Sequence, residues 1–266
     1  MSLKITILGC GSSGGVPRID GDFGACDPSE IKNYRTRCSI LVEKTDNEID
    51  YTRVLIDTSP DLRAQLLNAK ITDLDGVLFT HDHADQTHGI DDLRAIVYRR
   101  RKRIDAYFNL PTRRILLERF GYIFNGYEKP NYPSLLNPKL LPPYGQEFFI
   151  DGEGGQLSFV PIELIHGDIE CAGFRFDNIA YCNDVNEIPN NSMNYLENLD
   201  ILIIDCLRYS KHPTHAHLEQ TLEWIEKLKP KKSILTNMHI DLDYNDLKNQ
   251  LPEGIIPAFD GMIIEA

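Results

Sequence analysis

The sequence predicts an α/β protein made of two similar halves whose sheets face each other. Three observations predict it. Stretches with the alternation of strands are interleaved with stretches carrying helical apolar stripes, and this order runs twice along the chain. Two apolar runs, Gly76 to Thr80 and Ile201 to Cys206, read as buried strands. Residues able to bind metal (His81, His83, Asp85, His166, Asp184 and His239) fall where strands are predicted to end.

With 266 residues the chain is long enough to bury a stable core, and it reads as one domain over 1–266. A hydrophobic content of 42%, a charged content of 26% and a single Trp give no sign of disorder, coiled coil or repeat. The net charge of −12 argues against binding nucleic acid through the whole surface. Small anionic substrates remain admissible, because a metal site brings its own positive charge. The six cysteines, none in a C-x-x-C pair, read as reduced and mostly buried. The apolar run before Cys10 is too short for a signal-peptide core and no segment is long enough to span a membrane, so the expected compartment is the cytoplasm.

Leu3 to Leu8 is a first strand running into GCGSSGGVP. This holds a formal G-x-G-x-x-G, but Gly15, Pro17 and the Gly/Asp-rich stretch to Asp27 forbid the helix a dinucleotide loop must open, so it reads as a glycine loop beside a site. Thr36 to Glu43 and Asp50 to Ile56 predict a hairpin; a helix starting at Pro60 carries Leu62, Leu66 and Leu67. A helix from about Gly89 presents Leu93, Ile96 and Val97, and it ends in YRRRKR, a solvated basic run or a patch for substrate phosphates. A strand closes at Tyr107 to Asn109, and Pro111 to Phe124 predicts a helix. Gly121 to Tyr144 has no clear period and reads as an ordered insertion covering one side of the site. Strands are predicted over Gln156 to Ile165, Gly173 to Phe176, Ile179 to Cys182, Ile201 to Cys206 and Ser233 to Thr236. Helices are predicted over Pro189 to Leu199 and Leu218 to Leu228, with a last hairpin after Gly254.

The chemistry is densest in THDHADQTHGIDDLR, Thr80 to Arg94. His81 and His83 are two apart, so on an extended segment both rings leave the same side and can share an ion. Asp85 extends that alternation. This places His81 to Gln86 on a strand end and loop rather than on a helix.

With His166, Asp184 and His239 following in order, the chain resembles the metallo-β-lactamase superfamily over nearly its whole length. LGCGSSGGVP, DTSPDLR, HGIDDLR, AYCNDV and THAHL look most like the branch of tRNA 3′-end processing endonucleases and the cyclic nucleotide phosphodiesterase of carbon-phosphorus bond metabolism. The N-terminal loop is also similar to that of a pyrroloquinoline quinone biosynthesis protein. The resemblance implies an α/β fold of four αββα layers, with up to two ions, Zn²⁺ or Mn²⁺, at one edge of the sheets. His81, His83 and His166 would hold the first ion, and Asp85, Asp184 and His239 the second, with Asp184 bridging. Asp57 would orient a ligand, and His215 would contact the scissile phosphate.

Three departures stand out. Gln86 replaces a ligand histidine and weakens the second site. Asn237 stands where the branch has a histidine, so the last ligand role passes to His239, two residues on and on the same side of an extended chain. Cys26 lacks the companions of the structural zinc seen in that branch, and no such site is expected.

The implied activity is hydrolysis of a small anionic phosphodiester, such as a cyclic nucleotide, by metal-bound hydroxide, with Asp85 or Asp184 taking the proton of water and His215 stabilising charge. Alternatives are hydrolysis of a lactone, thioester or β-lactam, or a non-catalytic accessory role. The absence of a long basic, glycine-rich insertion weighs against a large RNA substrate. A homodimer is compatible with the sequence.

Overall fold

The computed structural model describes residues 2–47, 49–126 and 133–265. In chain order the described strands are β1 (Ser2–Gly9), β2 (Ser39–Thr45), β3 (Thr52–Ile56), β4 (Gly76–Leu78), β5 (Ile104–Phe108), β6 (Leu136–Leu140), β7 (Phe148–Gly152), β8 (Gly155–His166), β9 (Ile169–Phe176), β10 (Ile179–Cys182), β11 (Ile201–Asp205), β12 (Lys232–Thr236), β13 (Ile255–Pro257) and β14 (Ile263–Glu265). They form two seven-stranded sheets, ordered β14-β1-β2-β3-β4-β5-β6 and β13-β12-β11-β10-β9-β8-β7. Each is antiparallel on one side and parallel on the other, the change coming at β3 in the first sheet and β10 in the second.

Side-chain alternation along the strands separates the layers. Ile40 and Val42 of β2, with Val54 and Ile56 of β3, enter one core together with Phe159, Phe174, Phe176 and Ile203 of the second sheet. Their neighbours Leu41 and Leu55 point the other way, into a second core closed by helices α1 (Leu62–Asn68) and α3 (Leu93–Arg100). Each fully buried Leu, Ile or Phe contributes roughly 1.5–3 kcal/mol, so the inter-sheet core fixes how the strand ends stand relative to one another. The αββα arrangement expected from the sequence is the one formed.

The local expectations need several corrections. The helix expected from about Gly89 forms, as a 3₁₀ turn capped by Gly89 that runs into α3, but an unpredicted one-turn helix, α2 (Ala84–Thr87), precedes it, capped by extended His83, with Thr87 Oγ1 donating to His83 O at 2.8 Å. Alternation therefore carries His81 and His83 but stops before Asp85. Pro111 to Phe124 is not one helix but α4 (Leu110–Arg119) and α5 (Gly121–Asn125), and the supposed insertion contributes β6, with 127–132 outside the described residues. Pro189 to Leu199 holds only the short α6 (Asn190–Met193) and a 3₁₀ turn. After α7 (Leu218–Leu228) comes an unpredicted α8 (Tyr244–Gln250). The last two strands are not a hairpin: β13 joins β12 in one sheet and β14 joins β1 in the other. Leu67 is exposed rather than part of the α1 apolar face. Within the basic run Arg100 pairs with Asp73 at 2.8 Å and Asp75 at 2.9 Å while Arg99, Arg101, Lys102 and Arg103 are exposed, and these acids precede β4 and so lie at the opposite end of that strand from His81.

Candidate metal centre

The site gathers where β4, β8, β10, β11 and β12 end. Beyond β4 the chain passes through Thr80 to His81, and the register of this turn is held from β3. Asp57, in the left-handed region at φ 65°, accepts from Thr80 N and Thr80 Oγ1, both at 2.8 Å. The Thr80 hydroxyl, having given its hydrogen to Asp57, accepts from His81 Nδ1 at 3.0 Å. That fixes the tautomer and leaves Nε2 as the lone-pair nitrogen, and this buried atom has no hydrogen-bond partner. His166, at the end of β8, is fixed alike: its Nδ1 donates to Thr214 O at 2.6 Å.

The rings of His81, His83 and His166 stand edge to face, with centroids 4.5, 5.1 and 5.0 Å apart. One ligand nitrogen from each lies within 4.8 Å of the others. Burial, reinforced by His83, His166 and His215, holds His81 well below the ordinary imidazole pKa. Burial and then His215 bring His166 down to about 4, against the pull of the Thr214 carbonyl. Both rings are therefore neutral near pH 7, the state a metal ligand requires. Three converging imidazoles, one with an orphaned buried nitrogen, fit a divalent ion.

The carboxylate side is built differently. Asp184, buried and at φ 51°, accepts from Asn183 Nδ2 at 2.5 Å, Gln86 Nε2 at 3.1 Å and Asn237 Nδ2 at 3.2 Å. Burial lifts its pKa to about 8, Asp85 and Asp205 adding to the rise while His215 opposes it. His215 Nδ1 donates to Asp205 Oδ2 at 3.1 Å and lies 3.5 Å from Asp184 Oδ1. Burial alone would lower the His215 pKa, but the hydrogen bond and charge of Asp205, with Asp184 and Asp85, raise it to about 9.

His166, Asp184 and His215 also bring one ligand atom each within 4.8 Å, and this second group shares His166 with the first. The structure thus brings His81, His83, His166, Asp184 and His215 together, with Asp85 3.4 Å from the Gln86 amide. It places His239 elsewhere: Nε2 meets Arg18 at 2.5 Å and Nδ1 lies 3.2 Å from Asp241, while Asn237 stands against Asp184. His215 precedes the cap of α7, His217, so Asp205 and not the helix end holds it. Two amides of the glycine loop are tied to the scaffold, Gly11 N to Thr36 O and Ser12 N to Met238 O. Cys26 Sγ lies 3.4 Å from both Ile240 O and Leu242 O, either of which can accept its one hydrogen.

Sequence reading missed Asp205, Asn183 and the roles of Thr80 and Thr214. Asp205 had a signal: a carboxylate closing an otherwise apolar strand must be paired once buried.

The fold and the imidazole cluster define a metallo-β-lactamase-type hydrolase domain, and the chain belongs to that superfamily: the family described as "Beta-lactamase superfamily domain" matches residues 52–240. Within it, the chain is similar to a solved "New Diphosphatase from the PhnP Family", at 36% identity and TM-score 0.87, covering 100% of this chain and 98% of that one. Zn²⁺-bound PqqB from Methylobacterium extorquens, 17% identical with TM-score 0.72 over 98% of this chain and 99% of that one, shares the fold. An "Octanoyltransferase" of Porphyromonas gingivalis is 30% identical over 263 residues, which is 98% of this chain and 51% of the relative, so the chain spans about half the relative's length.

Proposed function

We propose that the protein is a metal-dependent phosphodiesterase acting on small substrates such as cyclic nucleotides, with Zn²⁺ or Mn²⁺ held by His81, His83 and His166. The observation that carries this reading is His215, whose ring lies 4.5 Å from that of ligand His166 while Asp205 takes its Nδ1 hydrogen. Its Nε2 is then the end left for substrate. An ion at the three imidazoles would polarise a phosphoryl oxygen and acidify water. His215 supplies a second positive group for the charge that builds on a phosphorane oxygen, and can protonate the leaving oxygen. Asp85, half-buried, keeps acceptor capacity for the proton of the attacking water, whereas Asp184 is already saturated by donors. Likeness to a PhnP-family diphosphatase supports phosphorus over carbonyl chemistry.

A panel of phosphodiesters, cyclic nucleotides included, assayed beside a lactone and a thioester, tests this. His215→Ala should keep its ion and lose on the order of 10²-fold in phosphodiester turnover, with carbonyl substrates much less affected. Equal losses on both classes would remove the preference for phosphodiesters.

The relative's name raises a second reading, acyl transfer. A route through a thioester needs an accessible thiolate. All six cysteines are buried, and burial pushes every one of their thiols up. That disfavours acyl transfer by this chain, of which the relative is about twice the length.

A further inference from the structure

We infer that carboxamide hydrogens, and not a second cation, bridge the acidic side of this centre, so that the chain binds one divalent ion, on His81, His83 and His166. The inference rests on the ion-binding reading above and makes it more specific.

Three carboxylates, Asp85, Asp184 and Asp205, stand in a row, and two NH₂ groups stand between them. Gln86 Nε2 is 3.4 Å from Asp85 Oδ2 and 3.1 Å from Asp184 Oδ2. Asn237 Nδ2 is 3.2 Å from Asp184 Oδ1 and 3.1 Å from Asp205 Oδ1. Each amide thus offers its two hydrogens to two neighbouring carboxylates, the electrostatic task a bridging cation would perform. The orientation of both amides is dictated by the acids, since turning either one over would set a carbonyl oxygen against carboxylate oxygen. Asn237 Nδ2 also lies 3.2 Å from His215 Nδ1, but both of its hydrogens are directed at acids and the His215 hydrogen goes to Asp205.

The lone pairs a second ion would need are consequently occupied. Asp184 Oδ2 takes two amide donors and Oδ1 a third, with the His215 ring beyond. In the group formed by His166, Asp184 and His215 the carboxylate is the member already occupied by amide donors, and the His215 nitrogen facing it carries a hydrogen to Asp205. Nitrogen of a carboxamide is not a metal donor, and no thiolate or further imidazole is brought to these acids among the described residues. On the imidazole side nothing competes, as His81 Nε2 is without a partner.

The test is the number of ions retained. Chelator-treated and dialysed native protein is titrated with Zn²⁺, and separately with Mn²⁺, following bound metal by calorimetry and by elemental analysis after desalting. One equivalent per chain is expected, lost in His83→Ala. The near-isosteric Asn237→Asp replaces a bridging NH₂ by a fourth carboxylate oxygen donor, so it should retain a second equivalent, and its melting temperature should rise with Mn²⁺ or Zn²⁺ beyond the rise seen in the native chain. Two equivalents in the native protein overturn the inference, and so does a folded Asn237→Asp that still holds one. No retained ion at all in the native protein overturns the ion-binding reading beneath it, which two equivalents would leave standing.

Discussion

Asp57 and Asp184 occupy corresponding places in the two sheets. Each follows the strand at which its sheet turns from antiparallel to parallel, each is buried, and each sits in the left-handed region, at φ 65° and 51°. Burial raises the pKa of both. Their partners differ. Asp57 is satisfied by one residue, Thr80, through a backbone amide and a hydroxyl, and the hydroxyl passes the constraint on to His81. Asp184 is satisfied by side chains of Asn183, Gln86 and Asn237, drawn from three segments, with His215 beside it. The same backbone device serves once as scaffold and once as a surface of the site. A carboxylate held by immovable backbone orders its neighbour, whereas one held by side chains can exchange partners when substrate arrives.

Removing an imidazole from the ion-binding trio should have the largest effect. His83→Ala leaves two ligands where three converge, and both metal retention and phosphodiester turnover should vanish together; a variant that kept full metal would show that His83 is not a ligand. Its fold should be little changed, because His83 is exposed.

The two aspartates should then separate by stability. Asp57→Ala strands the Thr80 amide, a fixed and buried donor, and puts Ala at a positive φ, at a cost of roughly 2–4 kcal/mol. Asp184→Ala also puts Ala at a positive φ, but it frees amide side chains that can turn toward one another and it relieves a buried acid, so a smaller loss of about 1–2 kcal/mol is expected. Urea denaturation of the two metal-free variants decides this. Equal losses would mean that donor mobility is not what distinguishes the two positions.

How much of this was legible in the sequence follows from what each signal depends on. His81 and His83 could be read because two-residue spacing on an extended segment is a local property. The sheets could be read from apolar runs such as Ile201–Asp205, whose burial needs no partner identity. Asp85 and Gln86 were misplaced onto extended chain because the single turn of α2 is made by the His83 cap and the Thr87 hydroxyl, too short to show a period. Which of Asn237 and His239 stands against Asp184 depends on long-range pairing, since Arg18 draws His239 away, and spacing cannot carry that information. The β13–β14 split escaped for the same reason: a turn flanked by two short strands looks like a hairpin, and only the anchoring of the intervening loop to Cys10 and Thr36 sends its two ends to different sheets.

That anchoring loop supplies another aspartate, half-buried, whose expected effect shows in the pH dependence of stability. Asp260 accepts from Cys10 N, Cys10 Sγ, Thr36 N and Thr36 Oγ1, and burial lifts its pKa to about 6 in spite of these bonds. An unfolded aspartate titrates near ~3.9. The folded pKa therefore lies above the unfolded one, so between about pH 4 and 6 the folded chain binds more protons and stability falls as pH rises. The contribution is present below about pH 4 and is lost by about pH 6, amounting to some 2–3 kcal/mol if this group alone responds. Asp260→Asn keeps one acceptor oxygen and removes the titration. It should be less stable in absolute terms, because its NH₂ faces a donor, yet flatter with pH across this window. Urea midpoints of native and variant protein at intervals from pH 4 to 6 isolate the difference, since every other titrating group is common to both. Parallel curves would mean that four donors keep Asp260 ionised at an ordinary pKa, making it a scaffold acceptor of the same kind as Asp57 without the burial penalty assigned to it.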